Sequence, residues 1–257
     1  MESIKKVKVQ YCDNTYELFC LSTDGRTNLI ESRGGTQEGK VCTWRDIVSN
    51  LNSQRVFDIG SNYGEFLIPI ANFKKHIYAF EPVQDVYNCL VKSIDNLNFD
   101  TNHITTIKAA IGDTTQMNVL NVPESSGNAS LDINCVKYKN TVKTQNVEEH
   151  DVLYYLEECS NFVMKIDVEG LEYKILRRIM KNDNFDWYCI MFEFNRFNKN
   201  NNDIIEDFLH GKQVMGIGNH KLELKNENFF TYEKGKSWNE LKDAHDVIVC
   251  KNINWSK

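Results

Sequence analysis

Val56 to Phe66, VFDIGSNYGEF, is an apolar run that breaks into a glycine-bounded turn and then resumes an apolar pattern. The turn itself, Asp58-Ile-Gly60-Ser61-Asn62-Tyr-Gly64, could hold a ligand on backbone groups, with a carboxylate just before it. A dinucleotide fingerprint needs G-x-G-x-x-G, because its second glycine lets the backbone approach a pyrophosphate. Asn62 stands where that glycine would be. The wider D-x-G-x-x-x-G turn therefore suits a cationic ligand without phosphate. A second apolar run ends in Ala79-Phe80-Glu81-Pro82, and an acid about 20 residues beyond the glycine turn is placed to accept both hydroxyls of a ribose. A ribose and a cationic centre without a pyrophosphate describe S-adenosyl-L-methionine (SAM).

These residues need elements to position them. Apolar runs at 55–59, 76–81, 104–111, 161–168 and 188–194 read as strands, separated mostly by helical periodicity. The clearest helix sets Val83, Val86, Tyr87, Leu90, Val91, Ile94 and Leu97 on one face. Alternating strand and helix implies a parallel sheet covered on both faces, and ligands of such sheets sit outside the carboxyl ends of the strands. Residues 5–31 alternate around Asp13-Asn14 and Asp24-Gly25, as hairpins do. Thr43-x-x-Asp46 is expected to cap a short helix carrying Trp44, Ile47, Val48 and Leu51. Residues 1–50 are thus expected to form a hairpin-and-helix lid within the same domain as 51–257. The helical rhythm fails between 114 and 150, where extended segments around the polar loop SSGNAS read as an insertion. The run at 199–203 reads as a loop before a helix, and His245 to Cys250 as a last strand.

Bulk properties narrow the partners. The chain has 257 residues and a net charge of -6, which gives no basic field for a phosphate backbone and argues against nucleic acid. No apolar run approaches the roughly 18 residues that a membrane span requires, and MESIKKVKVQ lacks the apolar core of a signal peptide. A cytoplasmic location is expected. The 8 cysteines contain no C-x-x-C pair, which argues against a zinc cluster and suits buried thiols in a reducing compartment. Gly34 to Val41, GGTQEGKV, nearly spells a P-loop, but Val41 offers no hydroxyl for magnesium and no buried strand precedes it.

VFDIGSNYG, YAFEP, AAIGD at Ala109–Asp113 and MKIDVEGLE at Met164–Glu172 resemble, in order and spacing, the FkbM-like methyltransferases over about residues 40–195. The resemblance implies an α/β fold of the class I SAM-dependent type, a Rossmann-like sheet whose last strand is antiparallel. It implies O-methyl transfer to hydroxyls of sugars or polyketide-type products. It also implies that Gly60, Ser61, Asn62 and Gly64 line the methionine part of SAM, that Glu81 and Pro82 flank the ribose, and that Ile111 and Asp113 flank the adenine. Pro69 departs from the pattern: an interior proline costs about 3 kcal/mol or kinks a helix, so the helix after the glycine turn is expected to be irregular.

On this fold Asp167 and Glu169 reach the strand tip facing the transferable methyl, and Glu193 the neighbouring tip. Their alternative role is helix capping or salt links to Lys165, Arg177 or Arg178, and Glu172 is assigned to capping by its place in a first helical turn. Methyl transfer to oxygen needs a group that removes the hydroxyl proton, and Asp167, Glu169 or His245 is expected to do so. An antiparallel last strand would bring His245 to the same sheet edge, where Asp167, Glu193 and His245 together could hold magnesium or manganese. The expected acceptor is a nucleotide-activated hexose or heptose for surface polysaccharide, with some of Arg26, Arg33, Arg196 and Lys199 at the pocket mouth. The competing readings are a methyltransferase of another small natural product, a dehydrogenase, which Asn62 disfavours, and a non-catalytic SAM-binding protein.

Overall fold

The computed structural model describes residues 3–136, 141–157, 159–182, 186–194, 201–218, 224–241, 243–251, 253 and 255. The N-terminal hairpin pairs β1 (Ile4–Tyr11) with β2 (Asn14–Leu21) through Cys12 and Asp13, both left-handed at φ 52° and 60°. The strand pattern ends at Asp24, which closes no second hairpin. Its Oδ1 accepts the Arg26 N–H at 2.7 Å and so caps α1 (Gly25–Arg33). Helix α2 (Glu38–Asn50) begins well before Thr43, whose hydroxyl donates back to the Gly39 carbonyl at 2.8 Å inside the helix. The capping box expected at Thr43 and Asp46 is therefore helix interior. Cys12 and Cys42 form a disulfide joining the hairpin turn to α2, which corrects the expectation of free thiols throughout.

The next elements are β3 (Arg55–Ile59), β4 (His76–Phe80), α3 (Gln84–Asp95), β5 (Ile104–Ile107), β6 (Ala110–Gly112), β7 (Gln116–Val122) and β8 (Lys143–Asp151). They are followed by α4 (Leu153–Leu156), β9 (Ser160–Ile166), α5 (Glu172–Met180), β10 (Asp186–Glu193), α6 (Asn202–Leu209), β11 (Gln213–Ile217), β12 (Phe230–Thr231) and β13 (Asp246–Cys250). The main sheet has the order β12-β11-β13-β10-β9-β3-β4-β5. Strands β5, β4, β3, β9 and β10 run parallel, while β13 is antiparallel to both β10 and β11. This is the class I methyltransferase sheet, with β12 added at its edge. The insertion makes a separate sheet of order β6-β8-β7.

Each face of the main sheet carries a core. On one lie α2, α3 and the hairpin, with Val56, Val163, Met191 and Ile248. The other is covered by α5 and α6 over Phe57, Met164, Phe192 and Val247. Helix α3 buries Val86, Leu90 and Ile94 as its periodicity requires, and Cys89 and Ser93 with them. After the glycine turn there is only a 3-10 helix, Ile68–Phe73, with Pro69 in its first turn. Proline is tolerated there because the first N–H groups of a helix have no intrahelical partner.

Candidate functional site

One line of register assembles the site. Ile59 pairs with Phe80 and with Ile166, and Ile166 pairs with Phe192. The next residue in each strand is therefore Gly60, Glu81, Asp167 and Glu193, side by side at the carboxyl edge. Glu193 faces Asp246 across the antiparallel pair. With strands about 4.8 Å apart, the four intervals from Glu81 to Asp246 span about 19 Å. A cavity of about 920 Å³, counting its open mouth, runs along this edge.

The glycine turn is fixed by close backbone contacts. Gly60 N–H and Ser61 N–H both donate to the Phe80 carbonyl, at 3.0 and 2.9 Å. Gly60 has φ +80°, and a Cβ there would stand 1.9 Å from the Asp167 carbonyl oxygen, so strand tips β3 and β9 can meet only at a glycine. Asn62, at φ 48°, lines the cavity beside it. Ser61 is buried, its hydroxyl donating to the Asp58 carbonyl at 2.8 Å, and Gly64 packs against Leu90 and Ile68, so neither belongs to the cavity wall.

Glu81 is 4% exposed. One carboxylate oxygen accepts the Asn62 N–H and the other the Val83 N–H, each at 2.9 Å. Burial pushes its carboxyl up to about 7, against the opposing pull of those two N–H groups. Each oxygen keeps a further lone pair, as two ribose hydroxyls require. Beside it Pro82, Phe80, Ala109, Ala110 and Ile111 form an apolar wall of the kind a purine needs. Asp113, expected at that wall, instead pairs with Arg177 at 2.5 Å.

Asp58 is fully buried beneath the turn, ion-paired with Lys165 at 3.3 Å. Lys165 also donates to the Gly60 carbonyl at 2.9 Å and approaches Asp167 at 3.6 Å. Burial opposes its charge, and Asp58 and Asp167 more than restore it, so its pKa is raised. Asp167 keeps 30% of its side chain exposed, on the cavity wall with Glu169. Glu172 accepts the Val168 N–H at 3.0 Å and the Gly170 N–H at 3.1 Å, which is the capping geometry.

Oxygens of Asp167, Glu169 and Glu193 lie within 4.8 Å of one another. Burial, then the charges of Asp167 and Glu169, push the Glu193 carboxyl up to about 10, so it holds its proton at neutral pH. His245, expected in this group, is exposed and lies off the cavity wall. The edge is right but the face is wrong: Asp246 shares its sheet face with Ile248, whereas His245 falls on the face of Val247. The set of Asp167, Glu193 and His245 is thus not assembled, and Glu169 stands in place of the imidazole.

The N-terminal segment supplies Arg26, one of the basic residues expected at the pocket mouth, and also Gln37 and Lys40, which the motifs did not reveal. Glu65, 2% exposed, gathers the Tyr11 hydroxyl at 2.6 Å, the Thr36 hydroxyl at 2.6 Å and Arg26, whose Nη2 is 2.5 Å away. Tyr63 donates to Asp24 at 2.6 Å, and Asp24 also accepts the Ser126 N–H of the insertion. Lys40 forms a buried ion pair with Asp246. It is the lysine of the near P-loop, so the sequence held a signal, but of another kind. Ser126, Gly127, Ala129, Ser130 and Leu131 close the remaining side. Arg33 lies off the wall, and Arg196 and Lys199 lie outside the described residues.

Residues 58–216 match the family model described as the methyltransferase FkbM domain. A comparison with curated proteins finds no match. Among solved structures, a methyltransferase FkbM from Methylobacillus flagellatus KT is 13% identical with a TM-score of 0.45, over 77% of this chain and 43% of that one. A precorrin-6y C5,15-methyltransferase from Geobacter metallireducens GS-15 is 10% identical with a TM-score of 0.43, over 83% and 89%. A magnesium protoporphyrin IX methyltransferase from Synechocystis PCC 6803, solved with SAM, is 10% identical with a TM-score of 0.42, over 84% and 77%. This chain spans less than half the length of the Methylobacillus protein, and at such identities these likenesses say nothing of substrate.

Proposed function

The chain belongs to the FkbM methyltransferase family, and from that premise we propose that it transfers the methyl group of SAM to a hydroxyl of a sugar. The observation that carries the reading is the single register line: a buried carboxylate for a ribose at one end, a glycine turn without a phosphate cradle beside it, and an acidic tip next in order. Glu81 would take the ribose hydroxyls, Gly60 and Asn62 the methionine part, and Phe80, Ala109 and Ile111 the adenine. The cofactor would supply an electrophilic methyl group. Asp167 is the group we assign to receive the hydroxyl proton, with Glu169 beside it. Lys165 holds Asp167 at the tip and keeps part of its charge compensated. The lid and the insertion enclose the cavity, which strengthens every electrostatic contact within it by excluding water.

The acceptor we favour is a hexose or heptose, activated by a nucleotide and destined for surface polysaccharide, in the cytoplasm where both substrates are made. Among the described residues no helix is long and apolar enough to cross a membrane. The test is Asp167→Asn: it should bind SAM as the wild type does and lose about 10²- to 10⁴-fold in kcat, the usual share of proton transfer. Full turnover by that variant would remove Asp167 from the role.

A further inference from the structure

The far end of the cavity, between β10 and β13, is used by neither the ribose carboxylate nor the glycine turn. Its wall there is Glu193, Asp246, Lys40, Gln37 and Arg26. The ordering along the edge puts the adenosyl end over β4 and β3, so whatever accepts the methyl must lie over β9, β10 and β13.

The cations on this wall are each paired with a carboxylate, among the described residues. Lys40 and Asp246 keep only 8% and 9% of their side chains exposed and are paired with each other. The Arg26 guanidinium places two nitrogens on one oxygen of Glu65, at 2.9 and 2.5 Å. Lys165 is spent on Asp58, Asp167 and the Gly60 carbonyl. Meanwhile the Oε2 atom of Glu193 is buried without a hydrogen-bond partner, on the cavity wall. A buried carboxyl oxygen left unmatched costs free energy that a ligand hydroxyl or ammonium would recover. A phosphate would fare worse: it would meet the carboxylates of Asp167, Glu169 and Asp246 beside cations already paired with carboxylates of their own.

We infer that this end of the cavity takes the acceptor ring as a non-phosphorylated polyol, bound by Glu193 and Asp246 with Lys40 as the positioning residue for Asp246. The inference rests on the sugar methyltransferase reading and deepens it. The phosphates of an activated sugar remain outside the cavity, and the ring alone enters beneath the lid. The acceptor subsite is complete only with the N-terminal segment docked, because Lys40 comes from α2 and Asp246 from β13. An amino group on the ring is compatible with the same wall and a phosphate is not.

The experiment is calorimetric titration of the protein saturated with S-adenosylhomocysteine, using glucose, mannose and galactose, their 2-amino-2-deoxy forms and their 6-phosphates. The neutral and amino sugars should bind, and each 6-phosphate should bind at least about tenfold more weakly than its parent, the like-charge penalty expected of such a wall. Lys40→Met and Asp246→Asn should weaken sugar binding with S-adenosylhomocysteine affinity unchanged, and His245→Ala should alter neither. A 6-phosphate that binds as tightly as its parent overturns the inference, as does unchanged sugar affinity in Asp246→Asn. Because the charge series is read on the wild type, it stands even where a variant fails to fold. Binding of S-adenosylhomocysteine with no sugar bound ends the sugar reading and this inference with it, whereas no S-adenosylhomocysteine binding ends the methyltransferase reading itself.

Discussion

Acidifying the solution from pH 8 to pH 6 should weaken cofactor binding through Glu81. Its carboxyl is buried and titrates near 7, and only the ionised form can accept two ribose hydroxyls while still accepting the N–H groups of Asn62 and Val83. The ionised fraction falls from about nine-tenths at pH 8 to about one-eleventh at pH 6, so affinity should drop about tenfold, roughly 1.4 kcal/mol. The assay is calorimetric titration with S-adenosylhomocysteine, which is not consumed and carries no sulfonium. Glu81→Gln should bind more weakly at pH 8, since its amide N–H must face one of two backbone N–H groups, and should lose the pH dependence. Losing one charge-assisted acceptor costs about 1.5–3 kcal/mol. Wild-type affinity that is flat between pH 6 and pH 8, or that rises on acidification, refutes the ribose assignment. A slope that survives in Glu81→Gln belongs to another group and refutes it equally.

Other outcomes follow from the same geometry. Gly60→Ala should destabilise by more than about 4 kcal/mol in urea unfolding, because its Cβ meets a backbone carbonyl at 1.9 Å. Gly64→Ala should cost only about 1–3 kcal/mol, since its neighbours are the movable side chains of Leu90 and Ile68. The cofactor-free protein should melt at a lower temperature at pH 8 than at pH 6. Glu81 and Glu172 near 7 and Asp246 near 6 all titrate above their unfolded values, so their stabilisation is whole below about pH 4 and is lost as pH rises through 6 to 7. A melting temperature that rises across that window would contradict the burial of these groups. Dialysis against a chelator should leave turnover unchanged, because Lys165 and the proton on Glu193 already relieve the crowding of carboxylates. Loss of activity that manganese restores would reinstate a cation on Asp167, Glu169 and Glu193.

The sheet was legible because its strands are buried on both faces and read as unbroken apolar runs bounded by turn residues. The tips Gly60, Glu81 and Asp167 followed from the same runs, since the carboxyl edge is where each run ends. His245 was misread by one position: the edge follows from strand direction, but the face follows from side-chain alternation, which starts from whichever residue first enters the ladder. The near P-loop segment, set aside as a phosphate site for want of a hydroxyl at Val41 and of a preceding buried strand, instead lies around the start of α2, where Gln37 is left-handed. The ion pairs of Arg26 and Lys40 could not be found by spacing. Their partners Glu65 and Asp246 are 39 and 206 positions away, joined only by the packing of the lid on the sheet. Asp113 sits in the expected motif, yet Arg177 on α5 draws it from the cavity, an interaction between elements with no local signature.

Mass spectrometry of nucleotide-activated hexoses and heptoses incubated with the protein and trideuteromethyl SAM tests the central claim most directly. One sugar should gain a single labelled methyl on oxygen, with an equal amount of S-adenosylhomocysteine formed, and Asp167→Asn should form neither at a comparable rate. Label appearing on a phenol or a protein and on no sugar, or SAM bound and recovered intact, would contradict the account.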